Sequence, residues 1–357
     1  MLAKVIGGWG LQWDIQWHMT IGRDSFWIAP HVMMYVSVAV ALVVGFAILG
    51  LTTADPSAGR SRAGRVRVLG LCGSPGFHLA AWGAATVVLA APVDDLWHRL
   101  FGIDVTLWSP PHLLGLFGSA VNALGCLVIA REVYEGRSRT GLVAILLSGA
   151  LLYGGLRVVL DPAYLLAYNH GGVLFHAYSI LAALVLPLAL LPASSLSRVR
   201  WAPVAVVAIV VMLSMGGDAV ARVGFAIVKP VSVISEEIKK APDSTIAVAN
   251  AITAKNRGIR PAWARVVPLI PVMLMALVDP RLRPVGSTAT YAVALFAISG
   301  WYLAGRPAYQ PVVPTSGETA IALLICLVAA LVGAVLARRL IALVDPEPSA
   351  SATSPGR

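Results

Sequence analysis

Charge-free or nearly charge-free stretches of bilayer-crossing length recur along this chain, at 31–53, 74–93, 111–130, 140–158, 172–192, 201–217, 262–278, 286–304 and 319–337. A crossing helix needs about 20 apolar residues, because lipid offers the backbone no hydrogen-bond partner outside the segment itself. The runs therefore predict an all-α, polytopic membrane bundle of about nine transmembrane helices. The seventh is the least regular, since Pro268 and Pro271 interrupt it and Arg265 flanks it. Composition agrees: 12% of the 357 residues are charged, against roughly 25% in soluble domains. The 33 glycines and 23 prolines do not argue against helices, because neighbouring helices re-satisfy interrupted backbone in membrane bundles.

A net charge of +10 would suit nucleic acid, but its placement points to topology instead. Arg60, Arg62, Arg65 and Arg67 follow the first run, Arg131, Arg137 and Arg139 the third, and Arg198 and Arg200 the fifth. Arg281 and Arg283 follow the seventh, and Arg338 and Arg339 close the ninth. Arginine in alternate connections marks the cytoplasmic side, so the N-terminus is expected outside, the C-terminus inside, and no nucleic-acid partner is expected. Segment 218–261 falls outside on this count yet carries Lys239, Lys240, Lys255, Arg257 and Arg260; long loops weigh little in orientation. It reads as a pair of interfacial amphipathic helices, a cap over the outer face, or an ordinary loop. Residues 1–12 hold Lys4 and no continuous apolar core, so no cleavable signal peptide is expected. Cys72, Cys126 and Cys326 form no Cys-x-x-Cys pair and suggest neither a disulfide framework nor a thiolate metal site.

Histidines divide the chain. Residues 1–192 contain all seven, residues 193–345 none, and the Pro/Ser-rich end at 346–357 reads as a disordered tail. Chemistry is therefore expected in the first half. On the expected topology, His18, His31, His98, His112, His170 and His176 fall at the outer side, while His78 lies near the inner end of its run. The stretch 13–35, WDIQWHMTIGRDSFWIAPHVMMY, returns in weaker form at 93–117, VDDLWHRLFGIDVTLWSPPHLLGLF. In both, an aspartate and a histidine four residues apart (Asp14 and His18, Asp94 and His98) share one helical face. In both, a second histidine, His31 or His112, follows a proline and opens the next apolar run. Two imidazoles and a carboxylate suit copper, zinc, iron or nickel and disfavour a soft thiolate-type site. Taken singly, each histidine reads as an interfacial or hydrogen-bonded residue, and Trp13, Trp17, Trp27, Trp97 and Trp108 as an aromatic belt. Asp24 and Asp104 read as caps, as partners of Arg23 and Arg99, or as outer partners orienting a histidine. Arg157 and Asp161 read as a structural ion pair. The joint pattern, written twice, reads as metal ligation by Asp14, His18, His31, Asp94, His98 and His112, with His170 and His176 as further candidates at the outer mouth of the fifth run.

The first copy resembles the metal-binding segment of the C subunit of copper membrane monooxygenases, the particulate methane and ammonia monooxygenases. Asp14, His18 and His31 match that family's ligand spacing, Arg23 and Asp24 its intervening pair, and Pro30 its proline. The likeness covers about 18 of 357 residues. It implies copper at Asp14, His18 and His31 near the extracytoplasmic face, an oxygenase activity, and partner subunits or a homo-oligomer. The family's neighbouring Asn/His site is not carried over, because Asn169 stands beside His170 and seven residues before His176. In the second copy one extra residue separates the histidines, which by spacing alone shifts its geometry by one position.

The expectation is thus a cytoplasmic-membrane metalloenzyme, a copper-dependent oxygenase using dioxygen on a small hydrophobic substrate delivered through the bilayer. Iron or zinc are the alternative metals. The rival classes are a membrane copper-binding or transport protein, a haem-carrying electron-transfer protein using His112 and His176, and a structural partner subunit. Spans free of charge at mid-depth disfavour full translocation; the haem reading leaves the Asp-x-x-x-His repeat unused.

Overall fold

The structure is a computed structural model that describes residues 1–22, 26–55, 64–101, 108–134, 138–160, 167–255 and 262–345. It is an all-helical bundle apart from one two-stranded hairpin. Among the described residues, seven helices are long and apolar enough to cross a membrane: Ala29–Ala54 (α2), Pro75–Phe101 (α3), Pro110–Val133 (α4), Arg139–Val159 (α5), Gly172–Ser197, Ala202–Val228 (α8) and Ser316–Val344 (α13). The fifth of these is composite: a 3₁₀ turn at Gly172–His176 leads into Ala177–Val185 (α6) and Pro187–Ser197 (α7).

The other two expected spans resolve differently. Within 262–278 the regular helix is only Leu269–Leu277 (α11), nine residues, or about 13 Å against a hydrocarbon core of roughly 30 Å. Pro268 is its N-cap and Pro271 lies in its first turn, where a missing N–H is tolerated. The run 286–304 lies in Pro284–Ala304 (α12), 21 residues long, but Ser287, Thr288, Thr290 and Ser299 dilute its apolar character.

An unexpected helix opens the chain. Leu2–Thr20 (α1) has 19 residues and packs along α2 and α8. Hydropathy hides it, because it carries Lys4, Gln12, Asp14, Gln16 and His18; the fold supplies partners for them. Lys4 Nζ donates to the Ser119 carbonyl at 2.8 Å and hydroxyl at 2.9 Å. Gln12 donates to the Ser214 carbonyl at 3.0 Å and to Asp218 Oδ1 at 2.6 Å. Trp9 Nε1 donates to the Leu213 carbonyl at 2.8 Å. Trp13 and Trp17, 7% and 2% exposed, pack with Ile28 and Ala221 in a small core of their own, and Trp17 stacks on Phe225. These two tryptophans are core anchors rather than members of an interfacial belt; Trp27 and Trp108 are exposed.

Helix starts follow from sequence. Proline occupies the first turn of α2, α4, α7, α8 and α12, where its fixed φ helps and its missing N–H costs nothing. Thr315 and Glu318 form a capping box on α13. Strands Val66–Val68 and Leu71–Gly73 pair antiparallel between α2 and α3, turning on Leu69 and Gly70, both at positive φ.

Contacts fix which helix ends lie together. Glu132, buried near the end of α4, accepts from Ser74 Oγ at 2.5 Å and from Gly76 N–H at 3.0 Å, capping α3 from a neighbour. Arg131 pairs with Asp345 at 2.7 Å, and Arg281 donates to the Arg198 carbonyl at 2.7 Å. The strand hairpin and these arginines therefore mark one end of the bundle; the α1–α2 and α3–α4 connections mark the other. The main core draws on residues from Ala123 to Ala337, so segments 1–192 and 193–345 share one interior.

The α3–α4 pairing is the most extensive in the bundle. Gly76 and Gly83 on α3 and Gly118 and Gly125 on α4 repeat every seven residues, and each lies against the backbone of the partner helix. A Cβ on Gly83 would sit 2.5 Å from the Asn122 nitrogen, and one on Gly118 2.8 Å from the Gly83 carbonyl oxygen. In lipid, where apolar surface is not driven together by water, such close backbone approach is what holds helices.

Candidate metal centres

Two His/Asp clusters lie at the end of the bundle opposite the arginines. In the first, Asp14 Oδ1 is 3.3 Å from His18 Nδ1 and 3.0 Å from His31 Nε2. In the second, Asp94 Oδ1 is 3.3 Å from His98 Nε2 and 3.2 Å from His112 Nε2. In each cluster, three ligand atoms lie within 4.8 Å of one another. Ligands on a tetrahedral ion with bonds of about 2.0–2.2 Å stand roughly 3.3–3.6 Å apart, and the carboxylate–imidazole distances of both clusters, 3.0–3.3 Å, lie at or just below that spacing.

Each cluster is a helical hairpin with the same internal register. The aspartate and first histidine lie on one helix, α1 or α3; the second histidine lies in the first turn of the next, α2 or α4. Four residues before the aspartate and three after the second histidine the helices touch again, Gly10 on Met34 in one copy and Ala90 on Gly115 in the other. Seven before and six after, Gly7 meets Ser37 and Val87 meets Gly118. The extra residue of the second copy therefore falls in the connection, between His98 and the start of α4, and does not shift the ligand set.

Supporting contacts of the first cluster come from residues that spacing does not reveal. Trp13, Trp17, Gln12 and Gln16 hold α1 against α8, Gln16 reaching Asp218 Oδ1 at 3.4 Å, and so fix the face carrying Asp14 and His18. His31 Nδ1 lies 3.2 Å from the Phe26 carbonyl, which also accepts from Tyr35 Oη at 3.1 Å. With its N–H on that carbonyl, His31 turns Nε2 toward Asp14, the arrangement that orients metal-binding imidazoles. Asp14 Oδ1 is buried and meets no well-aligned hydrogen bond, although two imidazole nitrogens face it. Burial alone would raise the Asp14 carboxyl, but His18 and His31 hold it below the usual carboxylate range, so it is an anion wherever imidazoles are free to ligate.

The remaining candidates fall elsewhere. His170 is exposed. His176 is buried and stacked on Phe296 with ring centroids 4.0 Å apart; neither it nor His170 joins a cluster among the described residues. His112 faces Asp94 and His98, and His176 faces Phe296 and Gly300, so the structure does not bring His112 and His176 together as a haem pair. Asp24, Asp104, Arg23 and Asp161 lie outside the described residues. Arg99 pairs with Asp95 at 2.6 Å. His78 approaches the Val66 carbonyl at 3.2 Å, at the arginine end.

The clusters differ in cover. Segment 218–261 begins inside α8 and continues as two short helices, Ile234–Lys240 (α9) and Thr245–Lys255 (α10). It bonds to the connection beside the first cluster: Ser232 Oγ donates to the Thr20 carbonyl at 2.6 Å and Val233 N–H to the Ile21 carbonyl at 2.7 Å. Gly22, at φ +97°, leaves room there for Val233. Side chains of the first cluster are 11–14% exposed; in the second Asp94 is 26% and His112 23% exposed, with His98 at 2%. A chelator is therefore expected to strip the loaded protein in two phases, the second cluster emptying first. Absorbance of the chelator complex follows this, and His98→Ala/His112→Ala should delete the fast phase.

Fold and geometry together define a polytopic helical membrane protein with two Asp–His–His clusters at one end. No protein-family model, curated protein or solved structure matches the chain.

Proposed function

We propose that this chain is a membrane metalloprotein that holds one transition-metal ion in each Asp–His–His cluster and acts as a copper-dependent oxygenase of small apolar molecules. The observation that carries the reading is that each cluster sets one carboxylate oxygen 3.0–3.3 Å from two imidazole nitrogens, Nδ1 of His18 and Nε2 of His31 in the first and Nε2 of His98 and of His112 in the second. Two imidazoles and a carboxylate leave coordination positions open, and the donor set suits copper, with iron or zinc as alternatives. The resemblance of residues 14–31 to the copper membrane monooxygenases favours copper. A bound copper ion would supply redox chemistry toward dioxygen.

The chain's own residues would do the rest. Asp14 and Asp94 supply negative charge, the Phe26 carbonyl orients His31, and the α9–α10 cap limits water at the first cluster. An apolar groove of about 430 Å³ between Trp13 and α8, lined by Val220, Val223 and Ile227, runs beside the helix that carries Asp14 and suits a substrate arriving from lipid. Inserting one oxygen atom and reducing the other to water consumes two electrons and two protons from a donor, so a reductant or partner subunit is part of the proposal. The arginine end is assigned to the cytoplasm by the positive-inside rule. The clusters then face outward from the cytoplasmic membrane, with the N-terminus outside and the C-terminus inside.

One observation favours a second reading. The exposure of Asp94 and His112 suits receipt and hand-over of a metal ion without turnover. Oxygen uptake by the copper-loaded protein, given a quinol reductant and short alkanes or alkenes, separates the two. Uptake that depends on substrate and disappears in His18→Ala/His31→Ala supports the oxygenase; stoichiometric copper with no uptake supports hand-over.

A further inference from the structure

The arginine end carries a second concave site, remote from the clusters. A pocket of about 600 Å³ is lined by Arg281, Leu282, Arg283, Pro284, Val285, Gly286 and Arg338. Its three guanidiniums are not equivalent. Arg281 is committed: Nε and Nη2 bind Asp279 at 2.9 and 2.7 Å, and Nη1 binds the Arg198 carbonyl at 2.7 Å. That clamp fixes the turn between α11 and α12 and uses up the charge of Asp279. Arg283 and Arg338 are exposed and make no ion pair among the described residues. Arg283, the N-cap of α12, and Arg338 on α13 line one concavity, with no carboxylate among its lining residues.

The rim is apolar. Leu282 is 77% exposed and Val285 38%, and exposed leucines and valines continue along α13 at Leu331, Val332, Val335 and Leu336. An anion seated between Arg283 and Arg338 therefore has hydrocarbon-compatible surface directly beside it. Guanidinium forks match phosphate oxygens, and basic pockets at the ends of membrane helices hold lipid headgroups.

We propose that the Arg283–Arg338 pocket binds a phosphate anion, and that its source is the headgroup of an acidic phospholipid whose acyl chains lie along Leu282, Val285 and α13. Each guanidinium contributes about fivefold to such binding, so loss of both should weaken it by about 25-fold.

The test uses delipidated full-length protein in detergent and native mass spectrometry, with phosphatidylglycerol, phosphatidylcholine and glycerol phosphate as probes. Arg283→Gln/Arg338→Gln is compared with wild type. Both arginines are exposed, so folding should be unaffected; Leu282→Ser, which keeps the charge but removes the apolar rim, is the second variant. A phosphatidylglycerol adduct that survives activation, is absent with phosphatidylcholine, and falls about 25-fold in the double variant supports the proposal. Partial loss in Leu282→Ser supports the lipid source. Equal retention of both lipids, or an undiminished adduct in the double variant, overturns it. Glycerol phosphate binding as tightly as phosphatidylglycerol overturns the lipid source and leaves a soluble phosphate site.

Discussion

Replacing Asp14 with asparagine should weaken metal binding at the first cluster by on the order of 100-fold or more, and leave the second cluster filled. Outer contacts alone are worth about 10–100-fold in metal sites, and here the change removes a ligand charge. Asparagine keeps the shape, so the helix packing set by Gln12, Trp13 and Trp17 should persist. Asp14 Oδ1 is the one atom both His18 and His31 approach, at 3.3 and 3.0 Å, so no other group of the cluster can replace it. Competition titration against a chromophoric chelator reads the change. Asp94→Asn should produce the mirror result, sparing the first cluster. Loss of both ions in either variant would mean one shared site rather than two.

Gly118→Val should be strongly damaging. Its Cβ would meet the Gly83 carbonyl oxygen at 2.8 Å, Thr86 Cβ at 2.9 Å and the Val87 nitrogen at 2.9 Å. Two of those three atoms are backbone, so rotamer changes cannot relieve the clash and α3 and α4 must separate. Overpacking costs about 1–3 kcal/mol where neighbours can move; here about 3 kcal/mol or more is expected. Separation pulls His112 away from Asp94 and His98, so the second cluster should lose its ion while the first keeps its own. Thermal unfolding in detergent together with metal content reads both effects. Gly154→Ala is the control: nothing lies within 4 Å of that position, and the change should be neutral or slightly stabilising.

How much of this could be read from the sequence depends on the range of the information involved. The ligand triads are local: an i, i+4 pair on a helix and a Pro-His at the start of the next are visible in the string, and the structure brings both sets together. The register that makes the copies equivalent is not local. It rests on Gly10 against Met34 and Ala90 against Gly115, and on a connection that absorbs one residue. Hydropathy found the long apolar helices and missed α1, because Lys4, Gln12 and Gln16 read as solvent-facing until Ser119 and Asp218 are in place. The run at 262–278 has spanning length in the sequence, but its regular helix is Leu269–Leu277, behind Pro268. For His176 the sequence showed a histidine at the start of an apolar run, but not its stacking on Phe296, 120 residues away.

The central claim is that each Asp–His–His cluster holds one ion. Metal content by inductively coupled plasma mass spectrometry, on copper-loaded protein purified in detergent, tests it most directly. The comparison sets wild type beside His18→Ala/His31→Ala and His98→Ala/His112→Ala. The account predicts two copper ions per wild-type chain and one in each variant; a correctly folded wild type that retains no copper, iron or zinc would contradict it.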